Sequence, residues 1–368
     1  MIQPKRDSNM QLLRIAAMCM VILHHLTWHG FYHQLAAYPE AFHYPVFFQR
    51  LLIVETFLPM GKTADAIFLL ISGYYLVERG AGVSLSRSAK KLISQVAFAS
   101  VLLVVCSTGY YFLHKEAEVG LEDIIQFNSG WWFVGYYFCV IVIGGLWLNG
   151  FLMKLSRKQY SEFLLLVFGA FSLSWAGSLL DSLAAGLRTL IAGLWLYSMG
   201  GYIKKFNPFR HLRFWMLPAG FVLVYLLVWL SYYNASINNI QKYLQTDQQL
   251  RYIQVRRLYE DYSIVPISLG LLLFEMARRI RLPYSRVIDW LGGASFMVYL
   301  IHDNDFVRWI WRERDLTALM QNSPLQFLLW CMKTVVVVYG IGCAAYLLYQ
   351  AVMKLIAGSR KQAAVSEP

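Results

Sequence analysis

The chain has 368 residues, of which 58% are hydrophobic, 16% aromatic and only 15% charged. A soluble domain usually carries about 25% charged residues, so this composition excludes an ordinary soluble fold and indicates a polytopic membrane protein. The formal net charge is +12, but the basic residues fall in short clusters between apolar runs, the pattern of membrane topology and not of a nucleic-acid surface.

In chain order, the first apolar run covers 10–30. Lys5 and Arg6 precede it, but it contains Arg14, His24 and His25 and no small-residue cleavage site follows, so it is expected to stay as the first helix. Arg14 and His25 are eleven residues apart. At about 100° and 1.5 Å per residue, both lie on one helix face, about 16 Å apart along the axis. An ionisable group in mid-bilayer costs roughly 2.5–3.5 kcal/mol on insertion scales, so it is read first as functional. The structural alternative is an Arg snorkelling to the interface and a His bonded to a neighbouring helix. His24 is turned about 100° from His25, so only one of the two shares the face of Arg14.

Nine further runs follow, at roughly 62–79, 91–113, 131–149, 161–179, 185–203, 214–232, 262–280, 287–305 and 326–355. They predict an all-α protein of about ten transmembrane helices, a single membrane domain over 1–358 and a short polar tail over 359–368 that frays. With the N-terminus inside, the inner loops hold Lys5 and Arg6, the Arg79 to Lys91 group, Lys154 to Lys158, Lys204 to Arg213, Arg278 to Arg286, and Lys354 to Lys361. That bias places both termini in the cytoplasm. It makes the acidic loop from Lys115 to Gly130 external. Of two long outer segments, 31–61 has room for a short interfacial helix. The other, 233–261, is rich in Asn, Gln, Tyr and Arg: either a solvated amphipathic loop or a surface for a polar, ring-shaped ligand. Its Asn234-Ala235-Ser236 triplet matches a glycosylation pattern too common to carry weight.

Four groups carry possible chemistry. The first is Arg14 with His25, a fixed fork of donors and a base suited to neutral pH. The second is Gly61-Lys62-Thr63-Ala64-Asp65 leading to Ser72-Gly73. Asp65 and Ser72 share a helix face, and Asp65 needs a partner that Arg14 or His25 would supply; close helix packing at Ser72-Gly73 is the alternative. The third is Arg87, Lys90 and Lys91, an anion site or plain topology. The fourth is the stripe of Ser295, Tyr299 and His302, followed by Asp303-Asn304-Asp305, an acidic end suited to ordering sugar hydroxyls or orienting His302, or simply a polar helix terminus. Trp131-Trp132-Phe133 reads first as an interfacial aromatic belt. The five cysteines lie in apolar runs, and no metal-ligand set, phosphate-binding glycine loop or nucleophile elbow is present at sequence spacing.

Taken together, Arg14 with ten residues before His25, the Asp65…Phe68…Ser72-Gly73 block, the basic cluster after it, Trp131-Trp132-Phe133 and Ser295…Tyr299-Leu300-Ile301-His302 resemble integral membrane acyltransferase family 3, the O-acyltransferases of bacterial surface polysaccharides. The likeness runs from residue 6 to about 350. It implies a multi-pass protein of the bacterial inner membrane that moves an acyl group, usually acetyl from cytoplasmic acetyl-CoA, to a hydroxyl of a surface or lipid-linked polysaccharide, with no metal. It implies that His25 and Arg14 are essential and that the basic pair near the third span lies on the acyl-CoA side; with the residue groups above, the expected sites are His25, Arg14 and Asp65 for catalysis, Arg14, Arg87, Lys90 and Lys91 for the donor, and Ser72, Trp132, Tyr299, His302 and Asp303 for the acceptor. The family's Arg-x-x-Arg pair reads Arg87-x-x-Lys90 here, which keeps the charge but loses the second guanidinium fork. The rival expectations are a transporter of a lipid-linked glycan or small solute using an Arg/Asp/His relay, and a membrane scaffold without catalysis.

Overall fold

The computed structural model describes residues 7–37, 51, 53–78, 85–113, 131–246, 263–312, 319 and 323–366. Among these there is helix and no strand. The chain forms α1 (Ser8–His25), a π-helical turn (Leu26–Phe31), α2 (Tyr32–Ala37), α3 (Met60–Leu76), α4 (Leu85–Leu113) and α5 (Trp132–Ile143). A second π-turn (Gly144–Leu148) leads into α6 (Asn149–Lys154). Then follow α7 (Arg157–Ser172), α8 (Ser174–Leu183), α9 (Leu187–Phe206), α10 (Met216–Thr246), α11 (Ile264–Arg279), α12 (Arg286–His302), α13 (Asp305–Arg312) and α14 (Pro324–Ser366).

Each of the ten apolar runs coincides with helix. Five helical stretches are long and apolar enough to cross a membrane: Ser8–Gln34, Ala89–Leu113, Trp132–Lys154, Met216–Thr246 and Pro324–Gly358. Four of these sit at the periphery and turn large apolar side chains outward, among them Val101, Val105, Leu223, Leu227, Val336 and Ile341. Contiguous exposed apolar surface of this kind fits lipid and not water. The central helices differ. Helix α3 buries Thr63 to Ile67 and Leu69 to Gly73 on all sides. A helix surrounded by other helices can carry polar groups that a lipid-facing helix cannot.

Helix α3 packs against α1, α9 and α11; α1 also packs against α12, and α12 against α14. These seams depend on close backbone approach. A Cβ at Gly73 would fall on the Tyr197 carbonyl of α9, and one at Gly342 would lie 2.6 Å from the Val298 Cα. Overpacking of this sort costs about 1–3 kcal/mol. Gly73→Ala is therefore expected to lower both the folded yield and the melting temperature in detergent. Gly135→Ala, with nothing within 4 Å of its added Cβ, serves as the silent control. Equal melting temperatures for the two variants would refute the packing account.

The basic ends gather at one end of the bundle. Tyr75 donates to Asp7 at 2.6 Å, Asn9 to the Ala277 carbonyl at 2.9 Å, and the Ser285 amide to Ser8 at 2.9 Å. Lys205 caps the carbonyls of Met153 and Leu155, and Lys204 lies 4.9 Å from the centre of the Tyr74 ring. Arg278 and Arg279 both pair with the buried Glu275 at 2.7 Å. Local signals act here as well: Ser156 and Gln159 close a capping box on α7, and Asn207, at φ 44°, ends α9 in the left-handed conformation.

Three expectations change. The segment 233–246 is not a loop but the last turns of α10, and Ser236 is buried there, donating to Glu55 at 2.7 Å. The run at 161–179 is broken at Leu173 into two helices, α7 and α8. The tail does not fray at Gly358, since helix continues to Ser366. The acidic loop 115–130, the rest of the polar segment at 247–261, and Lys5, Arg6 and Arg79 lie outside the described residues, as do residues 38–50.

Candidate active site

The first span supplies the centre. Helix α1 ends at His25 and passes directly into the π-turn Leu26–Phe31. Such turns recur at functional sites because the widened backbone re-aims the side chains that follow. Here the His24 ring stacks on Trp28 with centroids 6.3 Å apart, and the His25 ring lies 5.4 Å from that of His29. His24 Nδ1 donates to the Leu58 carbonyl at 2.9 Å.

His25 meets the end of α12. Its Nδ1 lies 3.1 Å from His302 Nε2 and 3.6 Å from Asp303 Oδ1. The tautomers follow from the acceptors. His302 Nδ1 is 2.7 Å from the Val298 carbonyl, which can only accept, so that nitrogen carries the proton. Nε2 of neutral His302 is then an acceptor, and His25 Nδ1 donates to it. The lone pair of His25 therefore resides on Nε2. Behind the pair, Asp303 is 1% exposed at its side chain and receives Arg308 Nε at 3.0 Å and Nη2 at 2.5 Å. Arg308 also reaches Asp305 at 3.4 Å. A positive charge forming on His25 would sit beside a carboxylate held in place by an arginine, the orienting logic of a carboxylate–histidine pair.

Two cavities flank this cluster and share no lining residue. One, of about 280 Å³, extends from Arg14 and Lys91 to Asp65 and Tyr299 along apolar walls that include Met18, Val21, Phe68 and Phe133. The other, of about 660 Å³, is lined by His24, His25, Trp28, His29, Lys62, Trp132, Tyr136, Tyr232 and Arg308. An aromatic partition divides them. Phe133 packs edge-on against Tyr299 at 5.9 Å, and Tyr299 against His302 at 6.0 Å. Across the same level, Lys62 Nζ lies 3.7 Å from Asp65 and 4.0 Å from the centre of the Trp132 ring.

The residues singled out in the sequence are thus distributed. Arg14, Asp65, Ser72, Tyr299 and Lys91 line the first cavity; His25 and Trp132 line the second. Arg14 and His25 lie at separate cavities and not at one point. Asp65 does not hold His25: it pairs with Lys62, and His302 with Asp303 takes the His25 ring. Ser72 donates to the Phe68 carbonyl and accepts from Tyr137 at 2.8 Å, well inside the first cavity. His302 and Asp303 form the support behind His25, being 2% and 1% exposed. Lys90 is exposed, and the Arg87 side chain lies outside the described residues. Trp131 is not a belt residue, because it is buried and donates to the Leu300 carbonyl at 3.2 Å. Arg308 and His29 are residues of this cluster that sequence reading passed over, and Lys62, quoted in the second group, was given no role of its own. The available signal was an Arg five positions beyond the acidic end of α12, and a Lys three positions before Asp65.

Tertiary structure also gathers a set that sequence spacing hides. His25, His29 and Asp303 each bring a ligand-type atom within 4.8 Å of the others. A metal ion there would meet the fixed positive charge of Arg308, which is bonded to Asp303 Oδ1, although Asp303 Oδ2 is buried without a hydrogen-bond partner.

The bundle is thus helical, with helices long and apolar enough to cross a membrane and a supported histidine lining its larger cavity. Residues 7–347 match acyltransferase family 3, described as an acyltransferase domain, and the chain belongs to that family. No curated protein and no solved structure matches the chain.

Proposed function

We propose that the protein is a bacterial inner-membrane O-acyltransferase that moves a short acyl group, acetyl in the simplest case, from cytoplasmic acyl-CoA to a hydroxyl of a surface or lipid-linked polysaccharide. The observation that carries this reading is His25, held by His302 and Asp303 at the larger cavity, with the smaller cavity beyond the Phe133 and Tyr299 rings. All ten helical runs cross the membrane as one domain over 1–358, and the basic end of the bundle faces the cytoplasm with both termini. The acyl-pantetheine arm enters the smaller cavity past Arg14 and Lys91, which hold coenzyme A phosphates together with Arg87 and Lys90 at the rim. The acceptor sugar enters the larger cavity, with Trp132 as a stacking surface.

His25 Nε2 then takes the proton of the acceptor hydroxyl as its oxygen attacks the thioester carbonyl. The tetrahedral intermediate collapses with cleavage of the carbon–sulfur bond. The departing coenzyme A thiolate recovers the proton from His25, and the acyl ester remains on the sugar. His302 fixes the His25 tautomer, while Asp303, held by Arg308, stabilises the imidazolium between the two proton transfers. Asp65, paired with Lys62, borders the partition on the donor side and balances charge there.

Proteoliposomes with acetyl-CoA on one side and glycan on the other test this directly. Release of free coenzyme A thiol that depends on the acceptor is the expected result. Passage of glycan or solute without any thiol release would replace the enzyme with a transporter. For the donor site, Arg14→Gln is expected to raise the KM for acetyl-CoA about tenfold with little change in kcat, the worth of one charge-assisted bond to a phosphate. An unchanged KM would remove Arg14 from the donor path.

A further inference from the structure

The apolar stretch of α4, Ala89–Leu113, treats its polar side chains unequally. Ser94, Ser100 and Ser107 each donate to a carbonyl of their own helix, those of Lys91, Val96 and Val104. Gln95 is different. It is 3% exposed, and its Nε2 is buried without a hydrogen-bond partner. An unpaired buried amide donor destabilises a fold, and lipid offers it no water to turn to. A polar group kept in a membrane helix at that cost points to a ligand.

The surroundings say which kind of ligand. Gln95 lines the smaller cavity. It stands four residues beyond Lys91 on α4, so it lies about 6 Å further along the helix. The walls about the cavity are largely carbon, with Val21, Phe68, Leu92, Phe138 and Ile141 among them. The serine hydroxyls of the lining are already engaged: Ser72 with the Phe68 carbonyl and Tyr137, and Ser295 with Tyr339. Gln95 thus brings a neutral, unspent N–H donor to an apolar passage. Its complement is a neutral carbonyl on a slender chain, and not a phosphate. The pantetheine arm of an acyl-CoA is such a chain, with secondary amides spaced between its phosphates and its thioester. We infer that Gln95 is a donor-binding residue whose side-chain amide takes a carbonyl of the pantetheine arm, one helical turn beyond Lys91. The inference rests on the acyltransferase reading only in taking the smaller cavity as the donor's.

The test uses the full-length protein in detergent, the variant Gln95→Met, and three ligands measured by calorimetry: coenzyme A, pantetheine, and adenosine 3′,5′-bisphosphate, which lacks the arm. Acceptor-dependent release of coenzyme A is measured separately. Gln95→Met is expected to weaken coenzyme A and pantetheine about fivefold, the worth of one neutral hydrogen bond. The bisphosphate should stay within about twofold. The melting temperature without ligand should be no lower than the parent's, because the substitution removes an orphaned donor and keeps the side-chain length. A merely structural glutamine would lower stability and weaken all three ligands together. Each dissociation constant is independent of the folded fraction, so poor yield of the variant leaves the comparison readable. Unchanged affinity for coenzyme A, equal weakening of all three ligands, a lower melting temperature, or no binding of coenzyme A and pantetheine by the parent would overturn the inference. Release by the parent with unaltered affinities in Gln95→Met would do so while leaving the transferase reading intact. Gln95-dependent binding of coenzyme A without acceptor-dependent release would instead overturn the transferase reading and leave the pantetheine contact standing.

Discussion

His25→Ala is expected to lower acceptor-dependent release of coenzyme A about 10³-fold, within the usual contribution of a positioned general base of roughly 10²–10⁴. The loss falls on kcat. The KM for acetyl-CoA stays within about twofold, because the donor cavity takes no wall from His25. His25 is the histidine whose Nδ1 is committed to His302 and whose lone pair is thereby placed on Nε2. His24, one position away, has its Nδ1 on the Leu58 carbonyl and its ring on Trp28, and is not part of that support. His24→Gln is accordingly expected to lose far less activity than His25→Gln. Steady-state rates in proteoliposomes, normalised to folded protein, decide it. A fully active His25→Ala protein would remove the base from the mechanism.

Arg308→Met is expected to be the most destabilising single change at the site. Asp303 lies at the end of α12 with its side chain 1% exposed, and its close charged partner on the far side from His25 is Arg308 at 2.5 Å. Removing one member of a buried pair leaves the other charge uncompensated, at a cost of about 3–5 kcal/mol. The double variant Asp303→Asn with Arg308→Met removes both charges and should recover most of that loss. Its activity should remain low, because the imidazolium form of His25 then lacks its carboxylate. Apparent melting temperature in detergent and coenzyme A release, measured on the parent and both variants, separate the two effects. A single variant as stable as the parent would show that the pair does not hold the end of α12. A fully active double variant would show that Asp303 has no part in supporting His25.

The sequence by itself determined the elements and much of their polarity. Apolar runs interrupted by basic clusters placed ten helical runs, and each coincides with helix in the structure, one of them broken at Leu173. The eleven-residue spacing put Arg14 and His25 on one face of the first helix. Sequence spacing put Ser295, Tyr299 and His302 on one stripe of α12, and the structure buries all three. These features are local: helical periodicity reports which residues of one helix look the same way.

What it could not decide was partnership between helices. Asp65 was the natural carboxylate for His25, since both needed a partner at similar depth. The structure instead gives Asp65 to Lys62, one turn away on its own helix, and gives His25 to His302 and Asp303 from the other end of the chain. That choice is set by how far α1, α3 and α12 slide and rotate against one another. Seams such as Gly73 on Tyr197 and Gly342 on Val298 set it through backbone contacts that carry no periodic signal. The π-turn after His25 is likewise invisible in composition, yet it brings His29 and Trp28 beside the histidine pair. The separation of Arg14 and His25 into two cavities is also a tertiary result. A shared helix face says only that two groups look in one direction. Phe133 and Tyr299, arriving from α5 and α12, place a wall between them.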